Sequence, residues 1–169
     1  MSSDLLLQSV AAILDRDLRT LRREVEGYPD ERNLWLEVPG VSNVAGTLAL
    51  HLAGNLQHYI GARLGRTGYV RDRAAEFARR DVPRSELLGD IEAARTAVRA
   101  SLSGPTQPDV TAEFPEAISG SRVTTGDYLI HLVTHFAYHL GQIDYHRRVV
   151  TGMAFAVDAV RPSELSSVR

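Results

Sequence analysis

Apolar residues recur every three or four positions in four separate stretches of the chain, with charged residues filling the gaps between them. From Ser3 to about Glu26, Leu6, Val10, Ile13, Leu14, Leu18 and Leu21 form one stripe, while Asp15, Arg16, Arg19 and Arg22 take the opposite side. That pattern predicts a surface helix capped by Ser3. Gly27-Tyr28-Pro29-Asp30 breaks it, and the stretch after it carries the only tryptophan, Trp35, ahead of a Pro39-Gly40 turn. The period Val44, Leu48, Leu52, Leu56, Tyr59, Ile60, Leu64 predicts a second helix from a Ser42 cap to about Leu64. Leu87, Leu88, Ile91, Ala94, Val98 and Leu102 mark a third, from about Pro83 to Ser103, closed by Gly104-Pro105. A fourth runs from about Gly126 to Val150, capped by Thr124 or Thr125 and stopped by Gly152.

The connections carry less pattern. Gly65 to Val82 opens with two glycines and turns strongly charged, which predicts a long, largely exposed crossing with a short helical turn through Glu76 and Phe77. Thr106 to Thr125 reads as loop with a short extended piece. The tail from Met153 is expected to pack as irregular chain at Phe155 and then fray. Four amphipathic stretches without period-two alternation predict an all-α fold, a four-helix bundle. The long link between the second and third helices permits an order other than up-down-up-down.

Composition narrows the function classes. The chain has 169 residues, 44% hydrophobic and 24% charged, which fits one domain spanning 1–169. Its 19 basic and 21 acidic residues lack the cationic excess that phosphate backbones demand, so no nucleic-acid partner is expected. The absence of cysteine excludes a Cys nucleophile, Cys-ligated zinc and iron–sulfur clusters. Apolar runs are broken by His, Asn, Gln or Arg well short of a membrane span of roughly 20 residues, so no membrane partner is expected. The N-terminus has no basic region before Leu5-Leu6-Leu7 and does not read as a signal peptide, giving a cytoplasmic expectation.

The six histidines are the chain's clearest chemistry: His51 and His58 fall on the second helix, and His131, His135, His139 and His146 on the fourth. A helical spacing of four leaves His131, His135 and His139 in a strip along one face. His51 and His58, seven apart, share a face but are separated by about 10 Å along the axis, too far to hold one small ion together. First-row divalent metals take imidazole nitrogens at roughly 2.0 to 2.1 Å, and two histidines at i and i+4 supply adjacent corners of their polyhedron. His51, among Val44, Leu48 and Leu52, is the natural third ligand. A single histidine on an apolar face is ordinarily a hydrogen-bonded core residue, and one i, i+4 pair is as readily a surface coincidence. Repeated imidazoles among apolar residues need several partners at once, and a metal provides them.

His51-Leu52 with Asn55 one turn on, and His135-x-x-x-His139-Leu140-Gly141-Gln142, resemble the DinB-like superfamily over nearly the whole chain. The segment with Tyr69, Arg71, Asp72, Arg73, Glu76 and Phe77 is similar to that of a subgroup of small members. The resemblance implies a four-helix bundle of up-down-down-up topology with a long crossover between helices 2 and 3, a homodimer, and a metal held by His51, His135 and His139. With the second and fourth helices then antiparallel, His58 and His131 would face each other one layer from the metal, as a hydrogen-bonded couple lining the cavity. His146 is expected to be exposed.

Asn55, His58, His131 and Gln142 are therefore the candidate pocket and supporting residues. Tyr138 and Tyr145 read as packing residues or gates to a pocket, and Arg71, Arg73 and Glu76 as a charged surface loop rather than an anion site. No general base is evident, since Asp144 faces away from His139. The expected cofactor is a divalent ion: zinc, nickel, iron or manganese. The resemblance implies a metal-dependent transferase that activates a low-molecular-weight thiol, or a hydrolase-like use of water, acting on a small-molecule substrate. The alternative is a non-catalytic, stress-related dimeric metal-binding module, and a weaker one a metal-free ligand cavity.

Overall fold

The computed structural model describes residues 3–155, 157 and 161–165. These form α1 (Ser3–Glu26), α2 (Ala45–Leu56), α3 (Arg73–Ala78), α4 (Arg84–Ser103) and α5 (Thr125–Thr151). Among the described residues there is no strand, only two isolated bridges, Glu113 to Thr124 and Ile118 to Ser121, in the stretch expected to hold an extended piece. The fold is all-α, with five helices rather than four, because the turn at Glu76 and Phe77 is a helix in its own right. Asp72 caps it, its carboxylate accepting from the Ala75 amide at 2.9 Å.

The long helices end where local chemistry says they should. Thr124 caps α5 by accepting from the Asp127 amide, and Gly152, at φ 67°, ends it in the left-handed conformation that glycine tolerates. The start of α2 differs from expectation: Val44 is the cap residue, it makes no side-chain cap bond, and Ser42 lies outside. Here tertiary packing replaces capping. The Trp35 ring covers Gly46 so closely that a Cβ there would come within 2.6 Å of it, which pins the incoming segment. The expected second helix also changes type at Gln57, continuing to Leu64 as a π-helix.

α1 packs against α4 and α5, and α2 packs against the same two helices. All twelve residues of α2 are buried. The core joins Leu14, Leu18 and Leu21 of α1, Leu52 and Leu56 of α2, Ile91 and Val98 of α4, and Phe136, Leu140 and Ile143 of α5, each worth about 1.5–3 kcal/mol when fully buried. Arg16, expected on the solvent side of α1, is buried instead and pairs with Asp17 at 2.8 Å. Arg147 of α5 is fully buried, bonded to Glu24 of α1 at 2.6 Å, with its guanidinium 4.7 Å from the Phe155 ring. Phe155 thus anchors the start of the tail; farther along, Pro162–Glu164 form a short helical turn whose Glu164 pairs with Arg19, so the fraying expected after Phe155 is not found there, and 166–169 lie outside the described residues.

Candidate metal centre

α2 and α5 bring His51, His135 and His139 together. One ring nitrogen from each lies within 4.8 Å of the others. The Nε2 atoms of His51 and His135 are 3.3 Å apart, which matches the nitrogen–nitrogen separation of about 3.3 Å for two imidazoles at 2.0 to 2.1 Å from one tetrahedral ion. His51 is buried, and His135 and His139 are half-buried.

The far side of each flanking ring is held by the protein. His51 Nδ1 lies 3.0 Å from Glu76 Oε2; the carboxylate only accepts, so the proton sits on Nδ1 and the Nε2 lone pair faces the cluster. Arg71 clamps Glu76 from behind, Nε to Oε1 at 2.6 Å and Nη2 to Oε2 at 2.7 Å. Nη2 is also 3.2 Å from His51 Nδ1, a weaker contact than the shorter bond it donates to the charged oxygen. Burial alone would raise the Glu76 pKa, but the bonds from Arg71 and His51 outweigh it and hold the carboxyl below its usual range. On the other helix, His139 Nδ1 donates to Gln142 Oε1 at 2.7 Å, again leaving Nε2 free.

Arg71 and Glu76 correct the expectation of a charged surface loop: both side chains are only 8% exposed. Glu76 fits because α2 has a glycine opposite it. A methyl group at Gly54 would collide with Glu76 Oε1. Reading the helices alone hid this carboxylate, since it reaches His51 from the crossing; the signal available was the Arg71…Glu76 pair in a segment long enough to fold back over α2.

The supporting residues divide. Asn55 and His131 line, with the three histidines, a cavity of about 420 Å³ that also takes in Tyr59, Arg73 and Tyr128. His131 stacks on Tyr128, centroids 5.6 Å apart, and on His135 at 5.9 Å. His58 does not join it. Its Nε2 bonds Glu116 at 3.1 Å, with Arg63 on the same carboxylate, so the expected His58–His131 couple is replaced by an ion-pair cluster. Along the π-helix that begins at Gln57, Tyr59 rather than His58 is the residue that lines the cavity with His51. His146, expected to be exposed, is buried: Tyr28 OH donates to Nδ1 at 2.9 Å, and Nε2 donates to the Leu36 carbonyl at 2.8 Å.

Electrostatics favour uncharged ligands. Burial, then the neighbouring His139, His51, His131 and Arg71, push the His135 pKa down to about 4. Burial lowers that of His139 as well, against the Gln142 bond. Neutral imidazole is the form that binds metal. Asp144 is engaged with Arg147 and Arg148, as its position past His139 suggested.

An all-helical protein whose second and last long helices converge on three imidazoles, two of them oriented from behind, defines the class: a helical bundle with a histidine-triad centre. The mycothiol S-transferase family model matches residues 9–152, and the chain belongs to this family, within the DinB-like superfamily. Searches of curated proteins and of solved structures found no match.

Proposed function

We propose that the protein is an S-transferase, using a divalent ion held by His51, His135 and His139 and a low-molecular-weight thiol, mycothiol in the family's description, as cosubstrate. The observation that carries this reading is the trio of ligand nitrogens within 4.8 Å of one another, beside a cavity large enough for a small molecule. Bound there, a zinc, nickel, iron or manganese ion would supply Lewis acidity that makes a thiolate available at neutral pH. The chain lacks cysteine, so the reacting sulfur belongs to the cosubstrate.

The chain's own residues hold and orient. Arg71 fixes Glu76, Glu76 fixes the His51 ring, and Gln142 fixes His139, so the ligand nitrogens are preorganised. Burial and the neighbouring Tyr59 phenol raise the Tyr128 pKa far above its ordinary value, so it lines the cavity as a neutral group rather than a base. Among the described residues no fourth His, Cys, Asp or Glu joins the cluster; three protein ligands leave the open position that marks catalytic rather than structural sites.

The same reading takes the chain as one domain with up-down-down-up order. His51 near His139 and Tyr59 near Tyr128 support opposed α2 and α5. Arg84 bonded to Tyr28 and Arg95 to Asp15 support opposed α1 and α4. Leu6 beside Gly126 and Arg147 beside Gly27 support parallel α1 and α5.

Metal analysis of tag-free protein purified without nickel resin tests the centre. Near-stoichiometric metal in the native protein, lost in His135→Ala and His51→Ala, is expected, together with mycothiol-dependent conjugation that falls with it. Metal-free protein whose added-metal binding is the same in the variants would overturn the proposal.

A further inference from the structure

S-transfer has two substrates, and two cavities meet at one histidine of this site. The first is the 420 Å³ cavity containing the triad. The second, about 540 Å³, lies between α5 and the segment from Val38 to Asn43. His139 and Asn43 line both. The two cavities therefore adjoin at these residues.

Their walls differ in chemistry. The first carries Asn55, Ser119, His131 and Arg73, whose guanidinium lies 5.0 Å from the Phe77 ring: hydroxyl, amide and charge, suited to a polar ligand. The second is walled by Val41, Tyr138, Tyr145 and Val149, which are 47% to 72% exposed. Large apolar groups left uncovered in one concave groove signal a binding surface, and tyrosine faces favour stacking with a flat aromatic ligand. Besides Ser42, Asn43 and the shared His139, two polar side chains of α5 punctuate it. His146 has both nitrogens engaged and presents only its ring. Gln142 gives Oε1 to His139, which sets its amide NH₂ as a donor for a ligand oxygen.

We propose that this second cavity is the acceptor subsite, taking an apolar, aromatic electrophile that bears an acceptor oxygen such as a nitro or carbonyl group, while the polar cavity takes the thiol. The assignment rests on the S-transferase reading. In the reaction the thiol gives up its proton to solvent, a carbon–sulfur bond forms, and a leaving group such as chloride departs with its bonding electron pair.

The test varies both substrates on the metal-loaded enzyme, with mycothiol and chlorodinitrobenzene as probes. Val149→Trp, which fills the second cavity from an exposed helix position, is expected to raise KM for chlorodinitrobenzene about tenfold with KM for mycothiol unchanged. Arg73→Ala is expected to do the converse. Parallel changes in both KM values, or no change with Val149→Trp, would overturn the assignment. A readout without turnover accompanies it: an amide NMR titration with unreactive dinitrobenzene, in which Val41, Tyr145 and Val149 should shift and Tyr59 and Arg73 should not. Shifts confined to the polar cavity overturn the proposal. So does a dimer that Val149→Trp dissociates without any dinitrobenzene shift, which would give the groove to a second copy. If the native protein turns over no thiol, the transferase reading fails, and with it the acceptor role; shifts in the groove would then identify an aromatic-binding site only, so the two failures are told apart.

Discussion

His139 and His146 stand two helical turns apart on α5, and burial lowers the basicity of both, yet their surroundings divide them. His146 has a protein partner on each ring nitrogen, Tyr28 on one side and the Leu36 carbonyl on the other. It ties the segment after α1 to α5 and has no lone pair left to give. His139 has one nitrogen bonded to Gln142 and the other turned toward His51 and His135. A buried histidine is thus a candidate ligand when the protein satisfies one nitrogen and leaves the second facing other imidazoles, and a structural residue when it satisfies both.

Alanine exchange at the two positions is the strongest way to break this contrast. His139→Ala is expected to abolish stoichiometric metal binding at small cost in stability. His146→Ala is expected to keep the metal while lowering unfolding stability by about 2–4 kcal/mol, because it leaves a buried phenol and a carbonyl without partners and opens a cavity. Metal content and urea unfolding on the same two preparations decide it, and metal loss in His146→Ala would erase the distinction.

Glu76→Gln sharpens the orienting side of the comparison. It removes the charge that faces His51 and leaves Arg71 buried beside a neutral amide, so metal affinity measured by chelator competition should fall about 10–100-fold. Gly54→Ala perturbs the same carboxylate by crowding Oε1. Its expected effect is smaller, about tenfold or less, because α3 and its loop can shift; native affinity would show that Glu76 need not sit where it does.

The pH dependence is the gentlest probe. His146 has its pKa lowered by burial, so the unfolded chain binds a proton that the folded one refuses. Its contribution is complete above the unfolded pKa of about 6.5 and is lost as pH falls below it, with a slope of at most about 1.4 kcal/mol per pH unit. Glu76, held low in the fold, adds a loss only at more acidic pH, below its unfolded pKa of about 4.3. Urea unfolding of metal-free protein should show a shallower first decline in His146→Ala than in the native chain, the remainder coming from His135 and His139, whose pKa values burial also lowers.

Apolar period and end signals make α1, α4 and α5 readable in the sequence itself, because helix formation depends on residues within a few positions of one another. The strip of His131, His135 and His139 is legible for the same reason: rotation per residue along a regular helix is a local quantity. His51 as the partner from a second helix also follows from its apolar face. Everything that depends on chain returning from a distance is settled by packing. Trp35 on Gly46, not Ser42, sets the start of α2. Glu116, from the loop before α5, takes up His58. Tyr28 and Leu36 bury His146, and the crossing folds Glu76 and Arg71 onto α2 where Gly54 makes room. Local sequence specifies which residues share a helix face; which of those faces meet, and whether a polar group there finds a partner, is a property of contacts between residues far apart in the chain.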